Sequence, residues 1–219
     1  MVVGSSDCSY VAVTDMSVAT GLRALVLENT SAVVFDLSLL SGLNVYSFES
    51  YATSSSIDDH AVLTGDLEYV PDSIFYFNVN RCTLTGSLAS LAGIPFTRPS
   101  GVVWPVVDGL LSIDQSGGIT GDAGSILSLL SGRINLVGLD LSYSATDINP
   151  GYGGSDIYLR DCGLSDAEID QFCIDLDAAV TSSTASYILN GTSNGTPTSA
   201  SLDARNSLVS KGATLTLNS

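Results

Sequence analysis

Pairs of apolar residues separated by one residue recur along the chain, with small or polar residues around them. Alternation with a period of two predicts short strands whose apolar side chains share one face. Six segments carry this pattern, and we expect them to form the neighbouring strands of a parallel sheet. They are Leu25-x-Leu27, Tyr46-x-Phe48, Phe77-x-Val79, Leu111-x-Ile113, Leu139-x-Leu141 and Ile157-x-Leu159.

A Leu-Thr-Gly or Ile-Thr-Gly phrase also recurs, beginning at Leu63, Leu84 and Ile119. The first interval falls within the period of leucine-rich repeats, about 20 to 29 residues. The second interval is longer because it contains a stretch with three prolines, from Pro95 to Asp108, which we interpret as an insertion. The spacing therefore predicts a repeated structural unit of variable length.

Two segments match the leucine-rich-repeat consensus best, and a cysteine takes the consensus Asn/Cys position in both. They run from Ile74 to Leu84, with Cys82, and from Ile157 to Leu164, with Cys162. Because one strand and its return segment cannot cover their own apolar side, such units must stack on one another. We therefore predict an α/β solenoid, an irregular leucine-rich repeat with a parallel β-sheet face.

The return segments on the convex side of this solenoid are predicted to be mixed in structure. Apolar residues between Gly124 and Leu130 have helical spacing. The segment from Leu67 to Ile74 contains Pro71 and is expected to be extended or 3₁₀-helical.

The last part of the chain is predicted to form an α/β cap over the solenoid. Ser165 and Glu168 form a capping-box sequence, and Ile169, Phe172, Cys173, Leu176 and Val180 follow at helical spacing. A strand at Tyr187 to Leu189, a helix from Leu202 to Gly212 and a strand from Thr214 to Asn218 complete this region. One continuous domain is thus divided into residues 1–20, a first strand or an attachment segment; residues 21–164, the solenoid; and residues 165–219, the cap.

Charge and hydropathy narrow the classes of partner. The chain has 23 acidic and 7 basic residues, a net charge of −16, and Lys211 is its single lysine. Because lysine and arginine must neutralise phosphates, we expect no nucleic-acid partner and no docking on anionic lipid. No apolar run reaches membrane-spanning length, so no membrane insertion is expected. The first residues lack a secretory signal pattern, so a signal is either not needed or already removed.

Three parts of the chain together resemble bacterial and bacteriophage leucine-rich-repeat proteins. They are the phrase from Leu63 to Ile74, the segment from Leu139 to Ser142 and the end piece from Leu164 to Asn218. The resemblance spans about residues 20 to 218, with a looser leucine ladder and more variable repeat lengths than a regular array. It implies a binding or virion-surface module, on a virion or extracellular, without cofactor or catalytic residues.

Few residues are suited to catalysis or metal binding. His60 is the single histidine, and no Cys-x-x-Cys pair occurs. We expect no metal and no cofactor, and we interpret the cysteines as buried reduced thiols. Most residues of the acidic groups are interpreted as helix caps or exposed residues rather than as a glycosidase pair. These groups are Asp58/Asp59, Asp161/Asp166 and Asp170/Asp175/Asp177.

Loops that project from the predicted solenoid are the candidate contact surface. Trp104 lies in the Pro95 to Asp108 insertion, where it is either a contact residue or packs over a flank of the core. Tyr51 and His60 lie in a Ser/Asp-rich loop, and Tyr152 lies in a glycine-rich turn. We predict Trp104, Tyr51, His60 and Tyr152 as binding residues.

These observations lead to three alternative hypotheses about the function of the chain. The first is a non-enzymatic recognition or structural module of a phage virion, a fibre tip or decoration protein that contacts a glycan or a protein. The second is a self-assembling subunit of an extracellular filament or sheath, that is, a homo-oligomer joined through open strand edges. The third is a carbohydrate-active enzyme, since repeat solenoids also host such chemistry.

Overall fold

The computed structural model of the chain describes most of the sequence in thirteen segments. The described residues form an α/β structure in which two parallel β-sheets lie beside packed helices. The segments are residues 2–3, 11–13, 15–16, 21–28, 33–51, 62–80, 82–94, 96, 110–114, 118–127, 132–146, 148 and 156–219.

The larger sheet has nine strands, and all its neighbouring strands are parallel. Its strands are ordered across the sheet as they are along the chain. They are β1 (Val2–Val3), β3 (Ala24–Glu28), β5 (Ser47–Tyr51), β7 (Tyr76–Asn80), β9 (Leu110–Asp114), β11 (Arg133–Val137), β13 (Ile157–Arg160), β14 (Ser186–Ile188) and β15 (Thr214–Thr216).

The smaller sheet has six strands, which are also parallel and also follow chain order. Up to β12 the chain passes alternately from one sheet to the other, and its last three strands all join the larger sheet. The six strands are β2 (Val11–Val13), β4 (Val33–Asp36), β6 (Val62–Asp66), β8 (Thr83–Ser87), β10 (Gly118–Asp122) and β12 (Asp140–Ser142).

The inner face of the nine-stranded sheet carries a continuous apolar row. Parallel register places Phe48 beside Phe77, and the two rings lie 5.7 Å apart between centroids. Phe35, which comes from the six-stranded sheet, lies 5.5 Å from Phe48. Aromatic pairs at this separation add to the stabilisation from burial alone. From β3 to β14 the inner row is buried and consists of Leu25, Phe48, Phe77, Leu111, Ile134, Ile157 and Tyr187.

Four strands of the six-stranded sheet end in a residue whose side chain accepts a hydrogen bond from a backbone N–H two residues later. The Asp36 carboxylate accepts from the amide of Ser38 at 2.8 Å, and Asp66 accepts from that of Glu68 at 3.0 Å. Such caps satisfy N–H groups that a helix start leaves without partners. Ser87 and Asp122 cap the next two connections in the same way.

Each capping residue is also paired in register with a hydroxyl residue of the following strand. Thr64 donates to the Asp36 carboxylate at 3.2 Å, and Thr85 donates to the Asp66 carboxylate at 3.3 Å. Thr120 lies beside Ser87, and Ser142 beside Asp122. We call these eight residues the cap ladder: Asp36, Asp66, Ser87 and Asp122 with Thr64, Thr85, Thr120 and Ser142.

The glycine of the Leu-Thr-Gly phrase is required by this close stacking. Gly86 has a φ of +107°, and a Cβ at this position would overlap the Asp66 carboxylate. Gly65 has a φ of +105°, and its Cβ would lie 2.9 Å from the backbone nitrogen of Leu37. Because glycine alone tolerates both the backbone angle and the contact, the phrase reflects packing between successive strands of the six-stranded sheet.

The helices are short except in the C-terminal region. The longest, α2 (Asp166–Ala179), begins with the predicted capping box of Ser165 and Glu168. Glu168 also accepts a hydrogen bond from the backbone N–H of Tyr143, so the helix start closes the end of the six-stranded sheet. No described helix is long and apolar enough to cross a membrane. The other helices in the described part of the chain are α1 (Gly124–Leu127), α3 (Leu202–Ser210) and 3₁₀ helices at Leu37–Leu40, Leu67–Tyr69, Leu88–Leu91 and Ser199–Ser201.

Most predicted elements are confirmed, with two corrections in the sheets. We predicted that Tyr46 and Phe48 point inward together, but β5 begins at Ser47, and the inward pair is Phe48 and Ser50. We also placed Leu139-x-Leu141 with the other predicted strands, but this segment belongs to the six-stranded sheet. The neighbouring strand of the larger sheet is β11, which carries Ile134 and Leu136 inward.

The N-terminal segment and the C-terminal region agree with the predicted elements where they are described. Val2–Val3 and Val11–Val13 form strands at one end of the two sheets, as expected if the segment contributes a first strand. The predicted helices that begin at Asp166 and Leu202 and the strands at residues 187 and 214 are present. The proposed division into three regions stays a prediction.

Candidate functional site

The outer face of the nine-stranded sheet carries a row of polar side chains at its centre. Parallel register aligns Asn78 of β7 with Ser112 of β9, Asn135 of β11 and Tyr158 of β13. These residues alternate with the inward apolar pairs, so the same strands build the core and this row. The row spans three strand spacings, about 14 Å.

The row forms the floor of a depression with a volume of about 340 Å³. Asn80, Asp114 and Arg160 stand at one side of the row, and Leu110 and Arg133 stand at the other. We call this depression the outer groove. Its lining is Asn78, Asn80, Leu110, Ser112, Asp114, Arg133, Asn135, Tyr158 and Arg160.

Within the outer groove a chain of contacts fixes the amide of Asn135. Its nitrogen donates to the Ser112 hydroxyl at 3.1 Å. Its oxygen lies 3.5 Å from the guanidinium nitrogen of Arg160, which donates to it. The two contacts together orient this amide within the groove.

The two arginines of the groove differ in their electrostatic surroundings. Arg133 forms an ion pair with Asp156 at 3.0 Å, and the same carboxylate accepts from the Tyr158 hydroxyl at 3.2 Å. Partial burial, followed by the negative charge of Asp156, raises the pKa of the Tyr158 hydroxyl, which remains a neutral donor. Arg160, by contrast, has no carboxylate within 4.0 Å in the described part of the chain.

The chemistry of this lining suits hydrogen bonding to a ligand with many hydroxyl groups. Amides offer paired donors and acceptors, a guanidinium offers several donors, and a tyrosine ring offers an apolar face with a polar tip. Asn78 has no hydrogen-bond partner among the described residues, so its amide is open to a ligand. Ser112 is contacted by an amide rather than by a base, so these residues do not form an activated nucleophile.

The acidic residues of the C-terminal region are structural where the chain is described. Asp170 is only 5% exposed and is therefore not one of the exposed-face residues. It accepts from the hydroxyls of Thr198 and Ser201 and thereby fixes the start of α3. Asp175 accepts from the Tyr143 hydroxyl at 2.8 Å, and Asp177 pairs with Lys211 at 2.6 Å.

The cysteines are buried as predicted in the described part of the chain, where this applies to Cys82, Cys162 and Cys173. Burial raises the pKa of Cys162 and of Cys173 to about 12, so both remain protonated thiols at neutral pH. Cys162 has a structural role, since its sulfur donates to the carbonyls of Leu136 and Arg160. Cys8 lies outside the described residues.

The predicted contact residues lie outside the described part of the chain. This applies to Trp104, His60 and Tyr152, and only the backbone of Tyr51 is described, as the last residue of β5. Sequence reasoning missed the outer groove, although the signal was present. Three of its four row residues stand between predicted inward apolar residues, as Asn78 stands between Phe77 and Val79.

No protein-family profile, curated protein or solved structure matches the chain significantly. The class of the molecule therefore follows from its fold, an α/β structure with two parallel sheets, and from the outer groove that its larger sheet carries.

Proposed function

We propose that the chain is an irregular leucine-rich-repeat solenoid that serves as a non-enzymatic recognition module and binds a glycan in its outer groove. The alternation of strands between two parallel sheets, the continuous inner row and the cap ladder support the solenoid. The residues after Leu164 would then form its C-terminal cap. Loops near Tyr51, His60, Trp104 and Tyr152 would extend the contact surface.

The observation that carries this proposal is the polar row of the outer groove. Side chains on the inner face of these strands are buried and apolar, so the core explains that face. Nothing in the core requires amides at positions 78 and 135 of the outer face, where small or charged residues would serve equally well. The oriented amide of Asn135, beside Tyr158, is suited to the hydroxyl pattern and the apolar ring face of a sugar.

The proposal is tested by the binding of the purified chain to an array of neutral and acidic oligosaccharides. We expect binding that is lost in Asn135→Ala and in Tyr158→Ala. Thr214→Ala is the matched control, because Thr214 lies exposed in β15 of the same sheet and outside the groove. Absence of binding to every oligosaccharide, with the chain folded, would contradict glycan recognition.

We further propose that this module acts on the surface of a phage virion or in another extracellular setting. This part of the proposal is supported by the resemblance of the repeat phrases and the end piece to phage and bacterial leucine-rich-repeat proteins. Mass spectrometry of purified particles should detect the chain. Its presence only as free protein in host cytosol would contradict a virion role.

Self-assembly into a filament is a second candidate, and one observation favours it. Strand β15 is the last strand of the nine-stranded sheet and, among the described residues, pairs only with β14. An open edge offers backbone hydrogen bonds to a second copy. Sedimentation over a range of concentrations should then show growing assemblies, whereas a monomer at all concentrations rules this function out.

A further inference from the structure

The charge distribution of the outer groove departs from that of the whole chain. The chain has 7 basic residues and a net charge of −16, yet two of its arginines line this one depression. Asp156 neutralises Arg133 at 3.0 Å. Arg160 therefore supplies the positive charge that the groove presents to a ligand.

The position of Arg160 allows its side chain to act on a ligand that lies along the polar row. Register places Arg160 beside Val137, and its guanidinium reaches back to the Asn135 oxygen at 3.5 Å. This is a long contact, and it occupies one of the five N–H donors of the guanidinium. The remaining donors have no partner among the described residues.

A planar guanidinium with several open donors matches one ligand group above others. Two parallel N–H groups can donate to the two oxygens of a carboxylate, and such bidentate pairs are roughly twice as strong as neutral hydrogen bonds. Asp114 is the acidic residue of the lining, and register places it two strands away from Arg160, about 10 Å. At this separation of the two backbones, a ligand carboxylate on Arg160 avoids close repulsion by Asp114.

We infer that the outer groove selects a glycan that carries a carboxylate, with the carboxylate held by Arg160 and the sugar hydroxyls by Asn78 and Asn135. This inference rests on the proposed glycan recognition and adds the chemical class of the ligand. Arg133 is the less important arginine, since its ion pair with Asp156 already uses its charge.

Calorimetry of the full chain with paired oligosaccharides tests this inference. The probes are oligogalacturonate, oligomannuronate and sialyllactose, each compared with its methyl ester, which keeps the sugar and removes the charge. We expect at least one acid to bind about tenfold more tightly than its ester, the effect of a charge-assisted hydrogen bond. This preference should weaken as the NaCl concentration rises.

Two variants distinguish a specific contact between Arg160 and the ligand carboxylate from general attraction to a positive charge. Arg160→Gln should abolish the preference for the acid over its ester. Arg23→Gln should leave it unchanged, because Arg23 carries the same charge but lies near Tyr46 outside the groove, 5.4 Å above that ring. Unchanged denaturation curves establish that both variants fold.

The outcomes distinguish this inference from the function on which it rests. Equal binding of acids and esters, or an unchanged preference in Arg160→Gln, overturns the carboxylate assignment and leaves glycan recognition intact. Equal binding of a sulfated analogue overturns the selectivity for carboxylate over other anions. Failure of all neutral and acidic oligosaccharides to bind overturns glycan recognition itself.

Discussion

Two sets of polar side chains lie on the neighbouring sheets of this chain, the cap ladder on the six-stranded sheet and the outer groove on the nine-stranded sheet. In the cap ladder the carboxylates of Asp36 and Asp66 accept from a backbone amide and from a threonine of the next strand. In the outer groove Asn78 and most of the Arg160 donors have no partner among the described residues.

This difference indicates how polar residues on the two sheets divide between structure and the proposed recognition. A side chain whose hydrogen bonds are made within the fold contributes to stability, and its loss leaves backbone groups without partners. A side chain that is held in position but has open donors contributes little to stability and is available to a ligand. Substitutions in the two regions should therefore affect different measurements, and the following predictions proceed from the largest expected effect on stability to the smallest.

The largest effect is expected for Gly86→Ala, a position that packs against Asp66 of the cap ladder. The added Cβ meets the Asp66 carboxylate, and the backbone has a φ of +107° that alanine tolerates poorly. We expect the free energy of unfolding to fall by about 3 kcal/mol. Urea denaturation measures this loss.

The control for this substitution is Gly93→Ala. Nothing lies within 4 Å of a Cβ at Gly93, and its φ is not in the left-handed region. We expect a change within about 0.5 kcal/mol. Equal effects at the two glycines would show that contact with the cap ladder is not the reason for glycine in the Leu-Thr-Gly phrase.

Acid should have the next largest effect, because several structural carboxylates lose their charge together. Hydrogen bonds from the Ser38 side chain and amide lower the pKa of Asp36. Burial alone would raise the pKa of Asp170, but the hydrogen bonds from Ser201 and Thr198 outweigh it, so this pKa is lowered as well. Groups with lowered pKa values stabilise the fold above their unfolded pKa, about 4, and this contribution is lost as the pH falls through the folded pKa.

Denaturation curves measured from about pH 6 down to about pH 3 should therefore show a steady loss of stability. Asp170→Asn should make this dependence shallower, because one of the titrating groups is removed. A pH dependence that is the same in Asp170→Asn and in the unaltered chain would contradict the role assigned to this carboxylate.

Asp66→Ala should have a smaller effect of about 1 kcal/mol, the usual cost of losing a side-chain cap. The substitution removes the acceptor for the Glu68 amide at 3.0 Å and for the Thr85 hydroxyl at 3.3 Å. Thermal or urea unfolding measures it. Asp66→Asn keeps an acceptor oxygen and should recover at least half of the loss, whereas equal losses in both variants would indicate that charge rather than capping matters.

Sequence patterns were sufficient to predict much of the larger sheet. The pairs at Phe77, Leu111 and Ile157 point inward as the alternation predicts, and the capping box begins α2 at Asp166. These features depend on local periodicity and on short hydrogen-bonded motifs, which are visible in a single sequence. The same periodicity predicted a strand at Leu139-x-Leu141, but we assigned this strand to the wrong sheet.

The six-stranded sheet and the outer groove were missed because they depend on register between distant segments. Leu-Thr-Gly-Asp contains glycine and aspartate, which are poor strand formers, so its strand conformation follows from pairing with neighbours. Gly138, with a φ of +67°, turns the chain between β11 and β12 and so places Leu141 in the second sheet. Likewise, Asn78 and Tyr158 are 80 positions apart in numbering, and only parallel register brings them to one row.

The smallest effect on stability is expected for Asn78→Ala in the outer groove, and this substitution tests the comparison most directly. Asn78 is followed by Val79 and preceded by Phe77, both buried, yet its own amide has no partner among the described residues. Its removal should change the free energy of unfolding by no more than about 0.5 kcal/mol. Affinity for an oligosaccharide that binds the unaltered chain should nevertheless fall about threefold to tenfold, the contribution of one hydrogen bond.

Calorimetry and urea denaturation of the same preparation measure the affinity and the free energy of unfolding, with Thr214→Ala as the control for the outer face. A loss of stability as large as that of Asp66→Ala, or unchanged affinity, would show that the amide belongs to the scaffold and that the two regions do not differ in the way proposed.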